Sequence, residues 1–446
     1  MADKVLIKFF GAAQEVGRSC ILIESGSRKF LFDAGINLGE KCDGRFPKIP
    51  LKLIPKIWSI FLSHAHLDHS GYLPFLVKNG FSGKIFCTKP TRDTIQLLLS
   101  DAARIGKEEG TAIYSSEDVL KTISLIEIVE YENEYNLSKN ISFKFFNAGH
   151  IIGASMVLLN IKGKKILYTG DFNTRETSVL LAAKNLQEDE KIDCIIIEST
   201  YGNRISLPSL KSSSKKLADL INETISKGGK VLIPVFAVGR AQEIMFFLEN
   251  YMRSGYLKKL NVFLDGMLIR ANRICRHNVI NLKPEIINRI LIADDDPFKS
   301  EFMQKSKTIH KRDVMKNENV VVLATSGMLT GGPSMTYFKL MAPNPLNAIV
   351  LVGFQVKGSL GRELIEGKKT VKIDEEEIAV NANVAHIPFS AHSDFHDLIN
   401  FAKGIRMKKI FLVHGEKDAI SELSKSMKKN TKAKIIVPEL CKDYVL

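Results

Sequence analysis

One stretch constrains this chain more than any other. Ser63-His64-Ala65-His66-Leu67-Asp68-His69-Ser70-Gly71 follows directly on the apolar run Ile57-Trp58-Ser59-Ile60-Phe61-Leu62. The run reads as a buried strand that stops at Ser63. In an extended tail alternate residues point the same way, so His64 and His66 share a side where one metal ion can take both. Asp68 and His69 fall where a helix is expected to start, from the spacing of Tyr72-Leu73-Pro74-Phe75-Leu76-Val77. They aim at a neighbouring point, which suits a second ion. A single histidine is usually an ordinary core or surface residue. Three histidines and an aspartate at this density read as a metal site.

Imidazole-rich ligation with a few carboxylates suits zinc better than magnesium or calcium, which favour oxygen-only cages. The remaining ligands should then be His or Asp at the ends of later strands. Phe143-Lys144-Phe145-Phe146-Asn147-Ala148-Gly149-His150 ends an alternating strand on a histidine, and Lys165-Ile166-Leu167-Tyr168-Thr169-Gly170-Asp171 ends another on an aspartate. An aspartate after a glycine is often only a turn former. A carboxylate also has two oxygens and can bridge two cations, which a neutral imidazole cannot. Both readings of Asp171 stand on the residues alone.

Phe32-Asp33-Ala34-Gly35, the His64–His69 run, His150 and Thr169-Gly170-Asp171 together resemble, in order, the four motifs of the metallo-β-lactamase fold. Three more segments narrow the resemblance to the β-CASP nucleases. Ile196-Ile197-Glu198-Ser199-Thr200-Tyr201-Gly202 resembles motif A, Pro388-Phe389-Ser390-Ala391-His392-Ser393-Asp394 motif B, and Phe411-Leu412-Val413-His414-Gly415-Glu416 motif C. The opening Gly11-Ala12-Ala13-Gln14-Glu15-Val16-Gly17-Arg18-Ser19-Cys20 is similar to that of the pre-mRNA cleavage and polyadenylation endonuclease subunit and its archaeal relatives, here without KH domains.

The resemblance implies a mixed α/β fold, an αββα sandwich carrying an inserted α/β β-CASP domain, and two zinc ions per chain. By similarity His64, His66 and His150 hold one zinc, Asp68, His69 and His414 hold the other, and Asp171 bridges them. Asp33 orients the attacking hydroxide or a ligand. His392 is the general acid for the leaving oxygen, with Glu198 orienting its ring. Side-chain physics alone leaves His386, His392 and His396 hard to separate, and motif B selects His392. Its bland alternative is a loop residue ahead of a helix capped by Ser393 or Asp394, and that of Glu198 a helix-start carboxylate. Ser390 donates to an RNA phosphate by the same similarity. Arg240 and Ser326 lie in Ala237–Glu243 and Thr325–Pro333, two Gly-rich segments that, with 353–362, look like β-CASP turns able to meet phosphates. His277 and His310, outside every motif, read as surface residues.

Strand signals at 5–10, 21–23 and 30–32 form a meander, and helix and strand signals mix up to residue 199. A serine-rich polar break at 201–214 opens a regular alternation: helix near 211–227, strand 231–236, helix near 240–253, then strands 262–264, 320–324 and 348–352. That alternation indicates a parallel layer. The expected domains are therefore 1–200 and 386–446, forming one body, with 201–385 inserted. The segment 433–437 reads as the last strand, an edge for pairing in the homodimer the family implies. The family also implies association with other RNA-processing or transcription-termination factors.

With 446 residues, 45% of them apolar, the chain can bury a large core. No apolar run approaches a membrane span, and Met-Ala-Asp-Lys is no signal peptide. Cys20, Cys42, Cys87, Cys194, Cys275 and Cys441 form no CxxC pair and read as buried thiols of a cytoplasmic protein. A net charge of +14 favours a polyanion such as RNA, although lysine excess also reflects solvation or genome composition. The expected function is a zinc-dependent ribonuclease, an endonuclease with 5′-3′ exonuclease action left open. The motif C histidine, His414, favours RNA over the DNA-repair members. A small-molecule metallohydrolase of the lactamase or glyoxalase II type is the alternative, but it has no use for the insert or for motifs A to C. A dead scaffold subunit would have lost ligands that are present here.

Overall fold

The computed structural model describes residues 4–39, 44–186, 191–306 and 310–446. Cys42 and the first three residues lie outside them. The chain divides into two compact units: Met1–Glu176, Leu181–Ser206 and His392–Leu446 form the first, and Thr177–Leu180 with Leu207–Ala391 the second. The sequence expectation placed the junctions at 201 and 385.

The first unit is built on two seven-stranded sheets. In one, the antiparallel meander Val5–Phe9, Ile21–Ser25 and Arg28–Phe32 continues through the parallel strands Ser59–Phe61, Lys84–Cys87 and Ile126–Ile128. In the other, Glu134–Ser138, Ile141–Asn147, Ser155–Ile161 and Lys164–Tyr168 run antiparallel. Cys194–Glu198, Lys409–Val413 and Lys434–Ile436 are then added in parallel. Alternation sends Phe9, Phe30, Phe32 and Phe61 inward to meet Phe143, Phe145, Tyr168 and Phe411 in one core. Rings touch from sheet to sheet, Phe61 on Phe143 at 4.9 Å and Phe32 on Tyr168 at 5.0 Å between centroids. The opposite strand faces, with Leu31, Ile60 and Ile85, are buried as well. A strand covered on both sides reads as a near-continuous apolar run. Helices such as Lys89–Glu108 and Lys417–Asn430 present buried stripes, Ile95-Leu98-Leu99 and Ile420-Leu423-Met427, giving the αββα order.

Three details depart from expectation. The strand before Ser63 is only Ser59–Phe61: the 3-10 turn Leu51–Lys56, containing Pro55, ends just ahead of the apolar run, and Ile57 caps it by donating its N–H to Ile54 O. The helix after His66 is broken into Leu67–Ser70 and Leu73–Lys78. Pro74 lacks the N–H that would continue the first piece into the second. The segment at 433–437 forms Lys434–Ile436 at a sheet edge, but it is not the last strand. Asp443–Val445 follows and pairs with Val5–Phe9 in the other sheet.

The second unit holds a six-stranded, wholly parallel sheet in the order Met303–Lys305, Asn261–Asp265, Val320–Ala324, Val231–Pro234, Ala348–Leu351, Asn383–His386. Met303–Lys305 and Asn383–His386 carry little apolar character and gave no sequence signal. The helices Leu210–Ser226 and Arg240–Arg253 fall where the alternation places them. Among the described residues, no helix is long and apolar enough to cross a membrane.

Candidate metal centre

Loops that follow several strands of the first unit contribute to a single cluster. The stretch 63–69 is held by backbone contacts: Ser19 N donates to Asp68 O at 2.9 Å, Ala34 N to His69 O at 2.8 Å and Ile36 N to Leu67 O at 2.9 Å. Gly35 permits this approach, since a Cβ there would fall 1.7 Å from Asp68 O. Asp171 follows Gly170, whose φ of 53° suits glycine. His414 follows the strand Lys409–Val413, and its N–H donates to Ala12 O at 2.9 Å, tying it to the Gly11–Cys20 loop.

The ligand atoms fall into two groups that share one residue. His64, His66, His150 and Asp171 offer atoms all within 4.8 Å of one another, and so do Asp68, His69, Asp171 and His414. Asp171 divides its oxygens between them. Its Oδ2 lies 3.7 Å from both His64 Nε2 and His150 Nε2, and its Oδ1 lies 3.4 Å from His69 Nε2 and 3.2 Å from His414 Nδ1. Asp68 Oδ2 is 3.3 Å from His414 Nε2. Asp171 is therefore no mere turn former.

The donor set fits metal. His64 Nε2 is buried and makes no hydrogen bond among the described residues, a costly arrangement for an atom with nothing to bind. Burial, together with the neighbouring His69, holds His64 well below the ordinary histidine range, in the neutral form that a metal requires. Burial also opposes charge on His69, but Asp171, Asp68 and Asp33 outweigh it and raise its affinity for a proton. The same negative field attracts a cation. Burial works against ionisation of Asp171 too, yet His414 and His69 keep it well below the usual carboxylate range.

Asp33 stands behind the ligands. It is fully buried and accepts from His69 Nδ1 at 2.6 Å, Ser63 Oγ at 2.7 Å, Tyr168 Oη at 2.7 Å and Ser63 N at 2.7 Å. One of these partners, His69, is a candidate ligand. Ser63 and Tyr168 were missed in the sequence, although each lies within three residues of a candidate ligand.

Glu198 closes the strand Cys194–Glu198, so it is not a helix-start carboxylate. Its Oε1 and Oε2 lie 3.0 and 3.1 Å from His392 Nδ1, and Oε1 accepts from Phe172 N. His392 also meets His150, ring centroids 4.6 Å apart. Burial pulls the His392 pKa down, but Glu198, aided by Asp171 and Asp68, pushes it up to about 9. Asp394, not Ser393, caps the following helix Phe395–Gly404, and Arg175 pairs with both Asp394 and Asp397. Ser393 instead accepts from Thr174 N at 3.1 Å and donates its own N–H to Phe172 O. The loop carrying His392 is thereby fastened to the one carrying Asp171.

His386, His396, His277 and His310 belong to none of these groups. His386, His277 and His310 are exposed, and His396 lies on the helix against Phe395. Ser390, Ser326 and Arg240 are in the second unit. Arg240 opens its helix and is buried, and Ser326 Oγ accepts from Thr330 N at 2.9 Å. The turn at Ser326-Gly327 meets the 353–362 segment and Phe236, the residue ahead of Ala237–Glu243, at the carboxyl ends of the parallel strands. Gln355 donates to Gly327 O, Gly361 N to Met328 O, and a Cβ on Gly327 would sit 2.7 Å from Phe236 N.

Comparison with known proteins agrees with this geometry. Residues 22–200 match a metallo-β-lactamase superfamily domain, 241–364 the Beta-Casp domain, and 377–438 the Zn-dependent metallo-hydrolase RNA specificity domain. The chain is 37% identical to an RNase J-like protein of Methanocaldococcus jannaschii over 97% of this chain and 98% of that protein. It is 35% identical to the transcription termination factor FttA of Methanothermobacter thermautotrophicus, over 95% of this chain and 69% of that one. A crystal structure of a protein of unknown function from Enterococcus faecalis shares the fold, with a TM-score of 0.60 at 14% identity, covering 99% of this chain and all of that one. The chain belongs to the β-CASP ribonuclease family of the metallo-β-lactamase superfamily and is a metal-dependent hydrolase of that family.

Proposed function

We propose that this chain is a ribonuclease that uses two zinc ions, bridged by Asp171, to hydrolyse phosphodiester bonds of RNA. The observation that carries the proposal is the split of the Asp171 carboxylate between two histidine-rich groups. A small-molecule hydrolase could share that feature. The Glu198–His392 pair beside it and the β-CASP and RNA-specificity domains favour RNA.

In this reading His64, His66 and His150 hold one ion and Asp68, His69 and His414 the other. Held there, zinc would supply Lewis acidity that activates water near neutral pH and polarises the phosphoryl oxygens. Asp33 fixes His69 through Nδ1, so that Nε2 faces the centre. His392 holds the proton that the leaving oxygen takes, and Glu198 orients its ring and keeps it protonated. Ser390, Ser326 and Arg240 remain candidates for phosphate contacts, Arg240 being the weakest because it is buried.

The wider setting is part of the same proposal. The thiols of Cys20, Cys87, Cys194 and Cys275 are free and buried as expected, whereas Cys441, expected to be buried, is exposed in the turn ahead of Asp443–Val445 and is free as well. Free thiols support a cytoplasmic location. Lys434–Ile436 is the outermost strand of its sheet among the described residues, an edge onto which a second copy can add to make a homodimer. The FttA relatives motivate a search for transcription-termination partners. The deciding assay compares labelled linear RNA, circular RNA, nitrocefin and a thioester. Cleavage of both RNAs supports an endonuclease, and turnover confined to nitrocefin or the thioester would return the chain to the small-molecule reading.

A further inference from the structure

Ser63 sits where the two ligand groups meet, and none of the expected roles includes it. Its hydroxyl donates to Asp33 Oδ2 at 2.7 Å, and its Oγ lies 3.0 Å from His64 Nδ1. A hydroxyl has one proton. With that proton committed to a carboxylate that cannot donate back, Ser63 Oγ can only accept from His64. His64 must then carry its hydrogen on Nδ1. The unprotonated nitrogen is Nε2, the buried atom without a hydrogen bond that lies 3.7 Å from Asp171. His69 is oriented by a direct route, its Nδ1 donating to the same Asp33 oxygen at 2.6 Å.

The hydroxyl is held in place from several sides. Ser63 N donates to Asp33 Oδ1 at 2.7 Å, and Ser63 O accepts from Ser155 N at 2.8 Å. Gly170 leaves room for it, since a Cβ at that position would lie 2.6 Å from Ser63 Cβ and 2.8 Å from Ser63 Oγ. Tyr168 contributes a further hydrogen bond to Asp33 Oδ2 at 2.7 Å and fixes the carboxylate without touching His64.

We propose that Ser63 is a positioning residue that passes the orientation set by Asp33 on to His64, so that one buried carboxylate selects the metal-facing nitrogen of a ligand in each group. The inference rests on the two-metal reading, and its test separates the two. Zinc affinities are measured by competition with a chromophoric chelator, and histidine tautomers by ¹⁵N spectra of zinc-free protein, for wild type, Ser63→Ala, Ser63→Thr and Tyr168→Phe. Ser63→Ala should weaken one of two zinc ions by about 10- to 100-fold and leave the other near wild type. In the zinc-free spectra it should mix the His64 tautomers and leave His69 with its hydrogen on Nδ1. Ser63→Thr, which keeps the hydroxyl, should restore both readouts, and Tyr168→Phe should leave His64 unchanged. Unaltered affinities with an unaltered His64 tautomer in Ser63→Ala would overturn the inference, as would equal weakening of both ions. If wild type takes up no zinc, the metal reading falls, and the His64 spectrum still decides whether Ser63 sets the tautomer. Should Ser63→Ala fail to fold, a wild-type spectrum with His64 protonated on Nε2 overturns the inference by itself.

Discussion

Glu198 holds His392 through both carboxylate oxygens, 3.0 and 3.1 Å from Nδ1. Removing the ring should separate chemistry from binding. His392→Ala is expected to keep its zinc and its RNA affinity within a few-fold, yet to cleave about 10²–10⁴-fold more slowly. A substrate with a better leaving group should recover much of that loss, because it needs no proton. Equal deficits on both substrates would remove His392 from the role of acid.

The pH profile follows from the same pair. Burial alone would make His392 a poor proton holder, and Glu198 pushes it up to about 9. An acid works only while protonated, so the rate should fall on the alkaline side as His392 loses its proton. Glu198→Gln removes the charge that retains the proton, and the alkaline limb should move to lower pH. Rates measured across pH 6 to 10, roughly the span that contains an ordinary and a raised histidine, check this directly. An alkaline limb that stays in place in Glu198→Gln would assign it to another group.

Much of this centre was legible because its chemistry is local in the chain. His64, His66, Asp68 and His69 occupy one short run, and His150 and Asp171 end strands whose alternation is plain. His414 and His392 could be chosen only by resemblance, since nothing in the side-chain pattern separates His392 from His386 or His396. Of the supporting shell only Asp33 was chosen, and by resemblance. Ser63 and Tyr168 meet it through hydrogen bonds between residues up to 135 positions apart, which leave no periodicity to read. The fold shows the same division. Strands buried on both faces announced themselves, while Asn383–His386 and the closing Asp443–Val445 are held by backbone pairing more than by apolar pattern.

Gly35 should tolerate no side chain. Its hypothetical Cβ would overlap Asp68 O at 1.7 Å and His69 N at 2.5 Å, both backbone atoms that cannot swing aside. Gly35→Ala should cost about 3 kcal/mol or more and displace the second ligand group. Thermal unfolding together with zinc content checks it, and a variant with wild-type melting and full zinc would show that the loop yields more readily than its packing indicates.

Salt dependence tests whether the net charge of +14 serves RNA. Lysines lining the RNA path would release counterions on binding, so log affinity should fall linearly and steeply with log salt concentration. A flat response would leave the charge as solvation.

Asp171→Ala should empty both groups together, because one carboxylate serves each of them. Elemental analysis of the purified variant should find far less zinc than in wild type. A variant that still holds the full complement would exclude a bridging role.

The most direct measurement follows RNA cleavage while zinc is returned to metal-stripped protein. Two sites joined by Asp171 predict no cleavage without zinc and a rate that climbs until two equivalents per chain are bound. Full activity in the metal-free protein, or a plateau at one equivalent, would contradict the dinuclear account.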